Sequence, residues 1–215
     1  MANINSISLD TADFYKAEES PDEITYYMNK YDSLIINFFN LPPDITAKDG
    51  SEKAIQDNYR KVAVESDGAI IEVKKIFLGK LETIKTIMKF HMKPSGMAYL
   101  GCYTIPFKSF SYVVKVQCLD VGTTGIRDTV ICNMMLKDGI VKLDEHGIDG
   151  WMKDPYDETI HLPFMMNLSE EEKFDDAFPT HPLSRLRTYM KDIEKTFSYD
   201  ALLENEPKFE YGIMQ

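Results

Sequence analysis

Residues 69–119 constrain the fold more than any other stretch of the chain, because they read as strand after strand with only short turns between. Residues 69–77 are rich in isoleucine and valine, Gly79 marks a turn, and residues 81–92 alternate through Ile84, Met88 and Phe90. Pro94-Ser95-Gly96 predicts a hairpin-type turn, after which residues 97–105 and 110–119 complete the run. In the last of these, Tyr112, Val114, Val116 and Cys118 share one face while Lys115 and Gln117 take the other. A period of two puts one face in a core and leaves the other partly wet or covered by a helix. Parallel strands need a crossover of a dozen residues or more, so connections this short predict an antiparallel meander.

Helices are predicted on either side. Ser51 is a cap for a helix to about residue 65, with Ala54, Ile55, Tyr59, Val62 and Ala63 on one face and Asp67-Gly68 as its stop. Before it, residues 24–28 and 33–39 form a strand pair that ends at Leu41-Pro42-Pro43-Asp44. Gly122-Thr123-Thr124-Gly125 opens a helix in which Ile126, Val130, Ile131, Met134 and Met135 recur at helical spacing. Ser169-Glu170-Glu171-Glu172 matches a capping box and predicts a short helix to about residue 178. Pro182 suits a first turn, and Leu183, Leu186, Met190, Ile193 and Phe197 form an amphipathic stripe. The expectation is one α+β domain, with a central antiparallel sheet and helices packed on it. Residues 1–22 would be a polar lead-in, 23–135 the core, 136–168 an acidic loop and 169–204 a helical cover, with a frayed polar tail from 205.

Charge removes some functions. Thirty-five acids against 24 bases give a net charge of −11, with no block of Lys/Arg. A phosphate backbone is held mainly by concentrated basic charge, so nucleic acid is excluded as a partner and anionic membrane surfaces are disfavoured. A protein partner with a basic face fits better. No stretch reaches the roughly 18–20 apolar residues of a membrane span, and the first residues have no secretory pattern. A cytoplasmic location is expected. Cys102, Cys118 and Cys132 are odd in number and widely spaced, as buried free thiols would be. Phosphate-loop, dinucleotide, metalloprotease and nucleophile-elbow motifs are absent, and no cofactor is implied.

Four groups of residues are candidates for chemistry or binding. Asp144, His146, Asp149, Asp154 and His161, among further acids, could hold a divalent metal if the loop folded around it. Their spacing matches no known ligand pattern, and a solvated loop is the plainer reading. Thr123, Thr124 and Gly125, with Arg127 in the first helical turn, could present donors to an anion, or simply make a tight strand-to-helix turn. Arg185 and Arg187 sit at a helix start, against the dipole preference, and predict an internal salt bridge. Met134, Met135, Met165 and Met166, with Trp151, could line an adaptable hydrophobic binding surface or fill an irregular core.

The phrases PSGMAYLGCYTIPFKSFSYVVKVQC, GTTGIRD and FPTHPLSRLR are similar to those of an uncharacterised bacterial family. The order of elements over about residues 30–135 resembles the PsbP-like fold of the DcrB-related bacterial proteins and the Eag-type adaptor chaperones of type VI secretion. That resemblance implies a central antiparallel sheet with helices against it, and binding more often than catalysis. The functional expectation is a non-catalytic bacterial binding protein, an adaptor chaperone or a toxin-neutralising immunity protein. The alternative is a metal-dependent enzyme using residues 144–161.

Overall fold

The alternating segments pair into one seven-stranded antiparallel sheet. A computed structural model describes residues 2–47, 49–145 and 147–212. The strands are β1 (Tyr15–Glu19), β2 (Glu23–Tyr27), β3 (Asp32–Phe39), β4 (Gly68–Leu78), β5 (Leu81–His91), β6 (Met97–Pro106) and β7 (Ser111–Leu119). Their order in space is β1-β2-β3-β7-β6-β5-β4. Two meanders therefore meet where β3 pairs with β7, Leu34 opposite Val116 and Ile36 opposite Val114.

The period-two pattern decides the faces. Leu34, Ile36, Tyr99, Tyr103, Ile105, Tyr112, Val114 and Val116 point to one side and form the main core with α3 (Pro182–Thr196). Leu183, Leu186 and Met190 of that helix are fully buried, each worth about 1.5–3 kcal/mol of apolar burial. Gly101 allows the close approach, since a Cβ there would lie 2.3 Å from the Met190 sulfur. On the opposite face, α1 (Glu52–Glu65) packs Ile55 and Ala63 with Ile70, Val73, Ile84 and Met88. Ser51 caps α1 by accepting from the Ala54 N–H, as expected, and Asp67 at φ 54° turns the chain into β4.

Strand edges must be blunted to avoid pairing with other chains. On β4, the Val73 N–H donates to the Tyr156 hydroxyl, the Val73 carbonyl accepts from Gln56, and the Lys75 N–H donates to Glu52. On the far edge, β1 is short, charged and bulged at Lys16–Glu18.

Three expectations are corrected. Residues 1–22 are not a polar lead-in outside the fold. Ile4 and Ile7 are buried, Ile7–Ser8 pairs with Ser198–Tyr199, and β1 belongs to the main sheet. Residues 169–178 make no α-helix. The capping box forms two residues earlier, between Asn167 and Glu170, and only short 3-10 turns follow at Leu168–Glu170 and Glu172–Phe174. The tail is not free: the Tyr211 hydroxyl donates to Glu82 over 2.9 Å, and the Lys108 N–H donates to the Pro207 carbonyl. The three cysteines are buried free thiols, as expected. Among the described residues no helix is long and apolar enough to cross a membrane.

Candidate functional site

The second helix, α2 (Ile126–Lys137), is set beside the sheet rather than on it. Ile131 and Met135 on its inner face, with Val141, form a satellite cluster against Trp151, Leu168, Phe174 and Phe178. A cluster this small needs reinforcement, and polar groups supply it. Arg127 is 1% exposed. Its guanidinium donates to the carbonyls of Ser169 and Glu171, to Asp175 and to the Ser184 hydroxyl, over 2.7–3.0 Å. Arg187 of α3 shares Asp175 and also donates to the Glu170 carbonyl.

The same segment is tied to the sheet. The buried Glu170 carboxylate accepts from Lys89 of β5 at 2.8 Å, Tyr99 of β6 at 3.1 Å and the Asn167 N–H at 2.8 Å. Residues 167–171 thus join α2, α3 and the sheet through one set of largely buried, hydrogen-bonded charges, in which the Arg187 Nε alone is left without a partner among the described residues. Arg185 makes the internal pair predicted for it, forking onto Asp32 at 2.8 Å through two bonds. Burial raises the Asp32 carboxyl, but Arg185 and Asn29 outweigh that and hold it below its ordinary value.

With α2 anchored by Arg127, Ile131 and Met135, its opposite face is left open. Ile126, Val130 and Met134 are 52%, 50% and 42% exposed, at successive i, i+4 positions. Beyond the helix, Ile140 is exposed, and Leu143 sits directly opposite Ile148 in a projecting hairpin of Lys142–Asp144 and Gly147–Asp149. Of the two readings the sequence left open for the methionines, core filling holds for three of the four. Met135 belongs to the satellite cluster and Met166 to the main core, Met165 is buried among Ala69, Ile70 and Phe164, and Trp151 is half-buried. Of these four only Met134 faces out, and Met152 is exposed as well. The open surface is aliphatic, and it is one face of a helix rather than a methionine groove.

The start of α2 borders a cleft of about 350 Å³. Its walls include Tyr31, Asp120, Thr123, Ile126, Phe178 and His181, so the sequence phrases GTTGIRD and FPTHPLSRLR meet across it. Gly125 occupies the N-cap at φ 74° and gives no side-chain cap. Burial and then the nearby Asp128 carboxylate raise the Asp120 carboxyl above its ordinary value, with the Gly125 N–H opposing them. His181 caps α3 through Nδ1, accepting from the Leu183 N–H at 3.2 Å. Burial, then Arg127, Arg185 and Arg187, push its imidazole down to about 3, so it is neutral.

Neutral His181 makes stability depend on pH. Its folded value lies below the ordinary 6.5, so the unfolded chain takes up a proton that the folded one refuses. Stability is then lost as pH falls from about 6.5 toward 3. His181→Asn, which keeps an N-cap acceptor, is expected to flatten that limb by up to ~1.4 kcal/mol per pH unit. Urea denaturation of both proteins across the window measures it; identical slopes would show that His181 titrates normally.

The predicted anion site is only partly assembled. Thr123, Gly125 and Arg127 border the cleft, and Thr124 lies beside them, but the Arg127 guanidinium is buried, its charge met by Asp175 and its donors by carbonyls. It is a structural tie rather than a ligand for an outside anion. The predicted metal residues are dispersed. Asp154 is buried under the Arg60 guanidinium at 2.6 and 3.0 Å, Asp144 and Asp149 sit on the projecting hairpin, and His161 is exposed elsewhere in the loop. His146 lies outside the described residues. Among the described residues no three His, Cys, Asp or Glu side chains gather as metal ligands would.

Asp120, Tyr31 and Phe178 were not singled out by sequence reasoning. One signal was present: Asp120 directly ends an alternating strand whose other charged residue, Lys115, is on the wet face.

No protein-family model matches this sequence, and a search of curated proteins finds no match. Among solved structures, a mutant of the protein Mog1 is similar over 94% of this chain and 99% of its own, at 10% identity and a TM-score of 0.47. A protein from Bacteroides thetaiotaomicron is similar over 57% of this chain and 41% of its own, at 8% identity and a TM-score of 0.35.

Proposed function

We propose that this chain is a non-catalytic binding protein that holds a protein partner along the open face of α2. The observation that carries this is the exposed stripe Ile126, Val130 and Met134, on a helix whose other face is locked by buried charges. Apolar side chains repeating every turn on a rigid helix are what an amphipathic helix of a partner packs against. The net charge of −11 favours a partner that carries basic residues beside its apolar stripe. An adaptor chaperone and an immunity protein would both act by such contact. An aliphatic stripe favours the chaperone-like role of shielding an apolar segment, since neutralising a basic toxin surface needs acids more than aliphatics.

The test uses Val130→Glu and Met134→Glu. Both sites are exposed, so stability should change by no more than about 0.5 kcal/mol. The wild type should retain a defined partner from the organism that encodes it, and each variant should lose it. Equal retention by the variants, or a wild type whose stripe is buried in a homodimer by light scattering, would overturn the proposal.

A further inference from the structure

We infer that the cleft at the start of α2 receives a cationic side chain, a lysine or an arginine, from the partner that lies along the α2 stripe. The inference rests on the proposed binding role and adds to it where the partner's charge is read. Ile126 makes the connection, because it both lines the cleft and heads the apolar stripe. A segment seated on Ile126, Val130 and Met134 therefore brings its next turn over the cleft mouth.

The charged side chains that line the cleft are not equally engaged. Arg185 is bound in a fork to Asp32, and Arg127 and Arg187 converge on Asp175. Asp128 accepts from Ser169 and Asn167, which are neutral. Asp120, whose carboxyl burial and Asp128 push up more than Arg185 and the Gly125 N–H pull it down, makes no ion pair among the described residues. Of the charged side chains that line the cleft, Arg127 and Arg185 are thus engaged by Asp175 and Asp32, whereas Asp120 has no such partner among the described residues. Arg185 offsets part of the Asp120 charge at a distance, but its own donors are directed at Asp32, Thr180 and Leu119.

The walls suit a cation as well. Phe178 lines the same cleft and can offer a ring face, which attracts an ammonium or guanidinium through its quadrupole, while the Tyr31 ring already has the Lys30 ammonium over it at 5.4 Å. Leu119, Val121 and Pro182 can take the aliphatic stem that leads to the charged head. A volume of about 350 Å³ is room for one long side chain and accompanying water. An anionic group would instead meet Asp120 in a site whose arginines are already neutralised.

The experiment uses the full chain and two small probes, Nα-acetyl-lysine methylamide and its uncharged counterpart Nα-acetyl-norleucine methylamide. Backbone amide spectra are recorded during titration of the wild type, Asp120→Asn and Val130→Glu. Asparagine keeps an oxygen for the Gly125 N–H, and thermal melting confirms that each variant folds. The lysine probe should give saturable shifts confined to residues near 119–127 and 178–182, and the norleucine probe should not. Asp120→Asn should weaken the lysine probe by about tenfold or more, and added salt should weaken it in the wild type. Val130→Glu, which adds a carboxylate one turn from Ile126, should still bind the lysine probe at least as well as the wild type while abolishing partner capture, which separates failure of the stripe from failure of the cleft. Equal response to both probes, an unaltered response in Asp120→Asn, or partner capture indifferent to Asp120→Asn would overturn the inference. Should Asp120→Asn not fold, Phe178→Leu in its place is expected to weaken the lysine probe through the lost ring face, and no weakening would count against the inference.

Discussion

Replacing Arg127 with methionine is expected to destabilise the protein by about 3–5 kcal/mol, the cost of removing one partner from a buried ion pair. The substitution would leave the Asp175 carboxylate with Arg187 and the Ser184 hydroxyl, strand the Ser169 carbonyl, and leave the Glu171 carbonyl with the Phe174 N–H. Arg127→Lys should recover only part of the loss, since an ammonium cannot fork to carbonyls on two sides. The damage should also be local before it is global. Amides of α2 should exchange faster relative to those of β6 and β7, because α2 rests on a satellite cluster and these bonds. Urea denaturation with residue-resolved hydrogen exchange measures both. A loss below about 1 kcal/mol, within the range of an ordinary neutral hydrogen bond, would show that apolar packing alone holds α2.

A second large effect is expected at the Lys89–Glu170 pair, whose side chains are 3% and 1% exposed. Lys89→Met should cost about 3–5 kcal/mol, because Glu170 would be left charged among Tyr99, Asn167 and Phe164. Adding Glu170→Gln should restore much of it. Glutamine keeps an oxygen for the Asn167 N–H, turns its NH2 toward the Tyr99 oxygen as a donor, and carries no charge to strand. The double variant would then be more stable than Lys89→Met alone, a coupling readable as a double-mutant cycle from denaturant midpoints. Simple addition of the two single losses would mean that the pair contributes no mutual stabilisation.

These two sites explain why part of the molecule could not be read in advance. The strands from residue 68 to residue 119 announce themselves, because alternation and turn residues are local properties of a few neighbours. Strand β1 gives no such signal: Tyr15–Glu19 is polar on both faces, and it becomes a strand only by pairing with β2 at the sheet edge. The Ser169–Glu172 capping match misled for the opposite reason. Glu170 is used by Lys89, Tyr99 and Asn167, so the box closes on Asn167 and no helix propagates. The cleft was legible only as two separate phrases; their meeting depends on α2 and α3 being brought together through Asp175.

Helix α2 separates the two kinds of information most clearly. Its start after Gly125 and its span follow from turn chemistry and helical spacing, as do the alternating core faces of the sheet and the apolar stripe of α3. Its apolar residues, however, lie nearly all around it, so spacing alone could not say which would be covered. The buried half was chosen by Arg127, whose partners come from 42–57 residues further along the chain. That choice left Ile126, Val130 and Met134 in solvent and sent most of the predicted methionine surface into cores. Local rules determined which elements form, whereas exposure and charge balance were decided by contacts between residues distant in sequence, which leave no periodic trace in it.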